Sequence, residues 1–281
     1  MINPTFLDEL DRFALVIKKR VTTTLSGKRK SPLLGRGTMI KDRRIYVAGD
    51  DFRLIDWKIY ARTDKLHVKL YEEDKSLTTH ILVDSSASMN FGKIKKMEYA
   101  SMIGVGYAYL ALRDNEKFQF STFSENVEQF RAKKSLGHLA SMIDYLNTLK
   151  IDGKTQFLDC IKRYKVQITN RSLIILVSDF LFEPTELRDA ILFLGDHEIR
   201  VIQVLDPVEK NLSLAGDFDF IDLETSEHMR TYVSPKLRTE YEQRLANHNA
   251  QIEKVCSDLN VHFYSFATDT SIFEAFYEMM K

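Results

Sequence analysis

The most constraining feature of the sequence is a change of rhythm near residue 77. From there on, short continuous apolar runs alternate with helical stretches. Runs at 80–84, 118–123, 172–178, 200–205 and 261–266 read as strands, with a shorter strand at 126–130 and a hairpin at 218–233. Apolar periodicity predicts helices over 94–113, 137–149, 156–168, 185–196, 235–259 and 270–280. The run Leu173-Ile-Ile-Leu-Val177 is apolar at every position rather than at alternate ones, so it needs cover on both faces. The expected fold is α/β: a doubly wound, Rossmann-like, mostly parallel sheet. In such sheets ligands bind beyond the carboxyl ends of the strands, so the residues that follow each strand are the first candidates for function.

The first 76 residues do not share this rhythm. Phe6, Leu7, Leu10, Phe13, Ala14, Ile17 and Val21 form a helical stripe that predicts a helix over 5–24. Residues 25–37 read as a basic loop broken by Gly and Pro, and short strands are expected at 44–48 and 66–73. The chain therefore divides into residues 1–76, an N-terminal helix with a small β-containing extension, and residues 77–281, the α/β domain.

Charge follows the same division. The 40 Lys and Arg balance 40 Asp and Glu, which argues against a dedicated nucleic-acid binder. Yet residues 1–50 hold 11 basic and 5 acidic residues, a net +6 that the remainder offsets. The basic segment 18–44 lacks aromatics spaced for stacking on bases, so a solvated loop is preferred to an anionic-surface (nucleic acid or lipid) binder. No run approaches the ~18 apolar residues of a membrane span, and the N-terminus lacks a signal-like apolar region. Cys160 and Cys256 stand far apart, which favours reduced, buried thiols and a cytoplasmic protein.

After the first apolar run comes Asp84-Ser-Ser86-Ala-Ser88. One carboxylate and two hydroxyls at alternate positions can turn toward one point, and all three are hard oxygens suited to Mg²⁺ or Mn²⁺. The same residues can instead satisfy backbone amides at a strand-to-helix turn. Gly153-Lys-Thr155 adds another neutral oxygen, and Asp179, at the end of a different strand, can reach the same crevice through water. A phosphate-binding Walker loop is excluded, because its earlier glycine position is Thr148.

Asp-x-Ser-x-Ser, then Gly-x-Thr about 65 residues on, then Asp after the next apolar strand resembles the metal-ion-dependent adhesion site of von Willebrand factor type A domains. The resemblance implies Mg²⁺, or Mn²⁺ or Ca²⁺ in its place, at Asp84, Ser86, Ser88, Thr155 and Asp179. It also implies a partner's carboxylate completing the coordination. Phe180 and Phe182, beside Asp179, either line a partner surface or pack on the neighbouring loop.

Ahead of this domain, Arg44-Ile-Tyr46-Val-Ala-Gly49-Asp50-Asp51-Phe-Arg53-Leu-Ile-Asp56-Trp57, followed by Ala61-Arg62, resembles the hallmark of the DUF58 family. Read physically, Asp50, Asp51 and Asp56 can pair with Arg44, Arg53 and Arg62 into a salt-bridged brace, with the sole tryptophan packed against it. A partner-binding surface is the other reading. Catalysis by the adjacent carboxylates is disfavoured, because they point apart and no nucleophile accompanies them. The family resemblance implies a non-enzymatic, Mg²⁺-dependent protein-binding adaptor. Its implied partner is a MoxR-type AAA+ ATPase, and its implied role is chaperone-like assembly or activation of a client protein. The alternative is a metal-dependent hydrolase, weakened by seven dispersed histidines, none of which follows a strand end beside the metal loop. His80 and His262 begin apolar runs and read as satisfied strand-start residues.

Overall fold

The structure, a computed structural model, describes residues 2, 5–21, 40–71, 78–130 and 136–281. Most of the basic segment 18–44, including the loop expected at 25–37, lies outside these residues. The chain runs α1 (Thr5–Val21), β1 (Ile40–Ile45), α2 (Trp57–Thr63), β2 (His67–Tyr71), β3 (Thr78–Asp84), α3 (Lys96–Arg113), β4 (Lys117–Phe123), β5 (Val127–Phe130) and α4 (Leu136–Thr148). It continues through α5 (Phe157–Lys165), β6 (Leu173–Ser178), α6 (Pro184–Leu194), β7 (Glu198–Leu205) and α7 (Pro207–Asn211). The last elements are β8 (Gly216–Ile221), β9 (His228–Val233), α8 (Pro235–Asp258), β10 (His262–Ala267) and α9 (Ile272–Met279).

Two compact units form: Met1–Leu15 with Leu77–Lys281, and Val16–Ser76. This differs from the division at residue 76, because the first turns of α1 belong to the larger unit. Their stripe explains it: Phe6 and Leu10 are buried in that unit's core, and Phe13 packs 5.3 Å from Phe273 between ring centres.

In the larger unit, six strands form one sheet in the order β10-β7-β6-β3-β4-β5. All pairings are parallel except β4 with β5. The side-chain period of two sorts the strand residues between two cores. Ile81, Val83, Ile175 and Val177 face α1, α3, α4 and α9, whereas Leu82, Ile174 and Leu176 face α5, α6 and α8. This is the doubly wound α/β sheet that the continuous apolar strands require. Helix α3 lies so close to its neighbours that a Cβ on Gly106 would overlap the Phe276 ring. The strand-start residue His80 is buried, with Nδ1 2.8 Å from the Tyr164 hydroxyl. Both cysteines are buried and unpaired. No helix among the described residues is long and apolar enough to cross a membrane.

The smaller unit holds an antiparallel pair, β1 with β2, with α2 between them in sequence. The first strand lies at Ile40–Ile45 rather than at 44–48, and α2 was not expected. Asp56 caps α2 by accepting a hydrogen bond from the Lys58 amide. Arg44 Nη2 lies 2.6 Å from Asp50 Oδ1, as the brace reading expects. Arg43, rather than Arg53 or Arg62, supplies the 2.9 Å ion pair to Asp56. Asp51 accepts the Arg53 backbone amide instead of its guanidinium. The packed tryptophan is a correction. Trp57 is 60% exposed at the first position of α2 and meets Tyr60 edge-on at 6.1 Å.

Candidate functional site

β3 and β6 are neighbours at the centre of the sheet. From β3 the chain builds outward to β4 and β5 on one side and to β6, β7 and β10 on the other. The carboxyl ends of β3 and β6 therefore flank the switch point, where an open α/β sheet leaves a crevice. β3 delivers Asp84 to that edge and β6 delivers Ser178 and Asp179.

Asp84 is fully buried. Its Oδ1 accepts the Ser86 amide at 2.9 Å, and its Oδ2 accepts the Ser178 hydroxyl at 2.6 Å. The hydroxyls of Ser86 and Ser88 stand 3.0 Å apart. Ala87 donates its amide to the Gly153 carbonyl at 3.0 Å, which ties the Asp84 loop to the loop carrying Thr155. Gly153 has φ +88°, a left-handed conformation that disfavours any residue with a Cβ. Thr155 then donates its hydroxyl to Glu224 Oε1 at 3.1 Å. Glu224 sits in the turn between β8 and β9.

Asp179 is buried and its charge acts on Asp84. Burial first, and the Asp179 charge second, push the Asp84 carboxyl up to about 7, against the lowering hydrogen bonds from Ser178 and Ser86. The second partner of Asp179 was not foreseen. Lys96, fully buried at the first turn of α3, places Nζ 2.9 Å from Asp179 Oδ2 and 2.7 Å from Glu209 Oε1. Burial alone lowers an ammonium pKa, but the Asp179 and Glu209 charges outweigh it and hold Lys96 above its ordinary value. Glu209 is itself placed by a capping box: Asp206 caps α7, and the Glu209 carboxylate accepts the Asp206 amide.

Among the described residues no group of three or more His, Cys, Asp or Glu side chains gathers as a metal cluster. A cation in this crevice would rest on the Ser86, Ser88 and Thr155 hydroxyls and the carboxylates of Asp84 and Asp179, before any further acidic group is added. That donor set suits a hard divalent ion, not zinc or copper. The fit has a physical sign. The Asp84 carboxyl is raised first by burial and second by the Asp179 charge, and a cation beside it would offset both.

Of the five sequence candidates, Asp84, Ser86 and Ser88 gather in one loop and Asp179 lies within electrostatic reach. Thr155 is joined to that loop through Gly153, and its hydroxyl is engaged by Glu224. Phe180 and Phe182 resolve in favour of packing. Phe180 is buried with φ +48°, and Phe182 stacks on Phe157 at 4.9 Å, which leaves only Leu181 exposed at this turn. Lys96, Glu209 and Glu224 escaped the sequence reading. Asp206-Pro-Val-Glu209 is a readable capping signal, whereas Lys96 ends a Lys-rich run that looks solvated.

The sequence family described as "Protein of unknown function DUF58" matches residues 42–251. Uncharacterized proteins of Mycobacterium tuberculosis and Mycobacterium bovis are each 25% identical over 276 residues, covering 95% of this chain and 86% of theirs. Among solved structures, the chain is similar to the conserved hypothetical protein BatB from Bacteroides thetaiotaomicron. That likeness has 12% identity and TM-score 0.44, covering 73% of this chain and 98% of the other. An aerotolerance-related membrane protein from Bacteroides fragilis gives 14% identity and TM-score 0.45, with the same two coverages.

Proposed function

The chain belongs to the DUF58 family, and from that premise we propose that it is a non-enzymatic protein-binding adaptor whose binding site is built around Mg²⁺. The observation that carries this reading is the buried Asp84 at the switch point, raised by burial and by Asp179, with the Ser86 and Ser88 hydroxyls beside it. Asp84, Ser86 and Ser88 would hold the ion, with Thr155 and Asp179 acting from the neighbouring loops. When bound, the ion supplies a positive centre for an acidic side chain of a protein partner. The chain's own residues do the rest: Ser178 and the Ser86 amide orient the Asp84 carboxylate, and Lys96 donates to the buried Asp179 carboxylate and fixes its position.

The partner class follows from the family resemblance: a MoxR-type AAA+ ATPase, with the chain acting in assembly or activation of a client protein. The cytoplasm is part of the same proposal.

The test is calorimetric titration of Mg²⁺ into the purified protein and into Asp84→Ala, followed by binding of the co-purified ATPase with and without EDTA. Metal binding lost in the variant, with EDTA-sensitive ATPase binding, supports the proposal. ATPase binding of wild-type affinity by Asp84→Ala defeats it.

A further inference from the structure

The β8–β9 hairpin forms a two-stranded sheet of its own, outside the main sheet. Its turn is built to present one side chain. Asp222 Oδ1 accepts the amides of Glu224 and Thr225 at 2.8 and 3.2 Å, and Ser226 takes a left-handed φ of +59°. These bonds, aided by the Lys154 charge from the Thr155 loop, hold the Asp222 carboxyl below its ordinary value. Glu224 is the single residue from Asp222 to Arg230 that is not exposed. It reaches inward, and its Oε1 accepts the Thr155 hydroxyl. A carboxylate of this chain thus already touches one of the five oxygens of the candidate cation site. An acidic side chain is what that site would receive from a partner.

We propose that Glu224 is the site's own acidic ligand. It is supplied in cis by the hairpin and occupies the place that an incoming partner carboxylate must take. This rests on the cation-site reading and deepens it. The hairpin closes the crevice at Thr155, and a partner binds by displacing Glu224. The chemistry explains why a glutamate is used: its two-methylene stem lets an exposed turn reach a half-buried hydroxyl, while the short Asp222 stays behind to fix the backbone.

The experiment follows Mn²⁺ binding by paramagnetic relaxation in wild type, Glu224→Ala, Glu224→Gln and Asp84→Asn. In parallel, hydrogen exchange is read over residues 216–233 with and without Mn²⁺. The expected result is Mn²⁺ affinity weakened about tenfold in both Glu224 variants and partly restored by added acetate. Mn²⁺ should also slow exchange at the hairpin turn in wild type and not in Glu224→Ala. Binding lost in Asp84→Asn but unchanged in both Glu224 variants, with an indifferent hairpin, overturns the cis ligand and leaves the cation site standing. Wild type that binds no Mn²⁺ overturns both.

Discussion

Lys96 Nζ lies 2.9 Å from Asp179 Oδ2 with both side chains withdrawn from solvent, so the crevice at the sheet edge contains a positive charge of its own. Glu209 shares that ammonium at 2.7 Å. Removing one partner from a buried ion pair strands the other, and this costs more than the pair contributes relative to an apolar replacement. Lys96→Met is therefore expected to destabilise the fold by about 3–5 kcal/mol in urea denaturation. Adding Asp179→Asn should recover part of that loss, because the two residues are directly coupled. Additive effects would show that the contact carries no coupling.

Asp84 gives a pH signature. Its carboxyl is raised to about 7 from the ordinary 3.8, so the native state holds this proton more tightly than the unfolded chain does. The resulting stability is full below about pH 4 and is lost as pH rises through about 7. In EDTA, Asp84→Asn is expected to gain on wild type between pH 5 and pH 8, since it carries no buried charge. Mg²⁺ at pH 8 should then stabilise wild type and leave the variant unchanged. Denaturation curves at the two pH values decide it, and a difference that ignores both pH and Mg²⁺ would refute it.

His80 works in the opposite direction. Burial first, and the charge of His197 second, bring its pKa down to about 4 from 6.5. The unfolded chain takes up this proton first as pH falls, so stability declines from about 6.5 to about 4. A shift of this size corresponds to roughly 3 kcal/mol at full extent. His80→Gln should remove that decline while losing some stability at neutral pH through the Tyr164 hydroxyl. Parallel pH series of unfolding free energy provide the comparison, with parallel curves as the contrary outcome.

Trp57 is the one tryptophan of the chain and is 60% exposed. Native-state emission is expected at the long-wavelength, solvated end, with efficient acrylamide quenching. Trp57→Phe should change stability by no more than about 0.5 kcal/mol. A blue-shifted, quencher-protected native spectrum would contradict the exposed placement.

The sheet was legible because its strands are apolar at every position and its helices are periodic, so both faces announce their cover before any contact is known. The Asp84 loop was legible for a related reason, since its oxygens are close in sequence as well as in space. Lys96, Glu209 and Glu224 were not, because each acts across more than 65 residues of chain: 83 between Lys96 and Asp179, 113 between Lys96 and Glu209, and 69 between Thr155 and Glu224. A buried lysine has no local signature, since only the fold withdraws it from water. Arg43 took the place of Arg53 and Arg62 as the partner of Asp56 because the fold, not spacing along the chain, brings β1 to the start of α2. Trp57 failed for a simpler reason: a large aromatic usually seeks cover, and here a helix start turns it outward.

The Lys96 ammonium also bears on valence. Asp84, Asp179 and Glu209, when ionised, set three negative charges against one positive charge in a connected, buried group. The group alone carries a net charge of −2, and Glu224, or the partner carboxylate that displaces it, makes it −3. A divalent ion therefore leaves at most one uncompensated charge, whereas a monovalent ion leaves one or two, which is expensive in a low-dielectric crevice. Without the lysine, the same carboxylates would be best balanced by a higher total charge. The lysine thus sets the crevice to discriminate among ions by their charge, before size or geometry is considered.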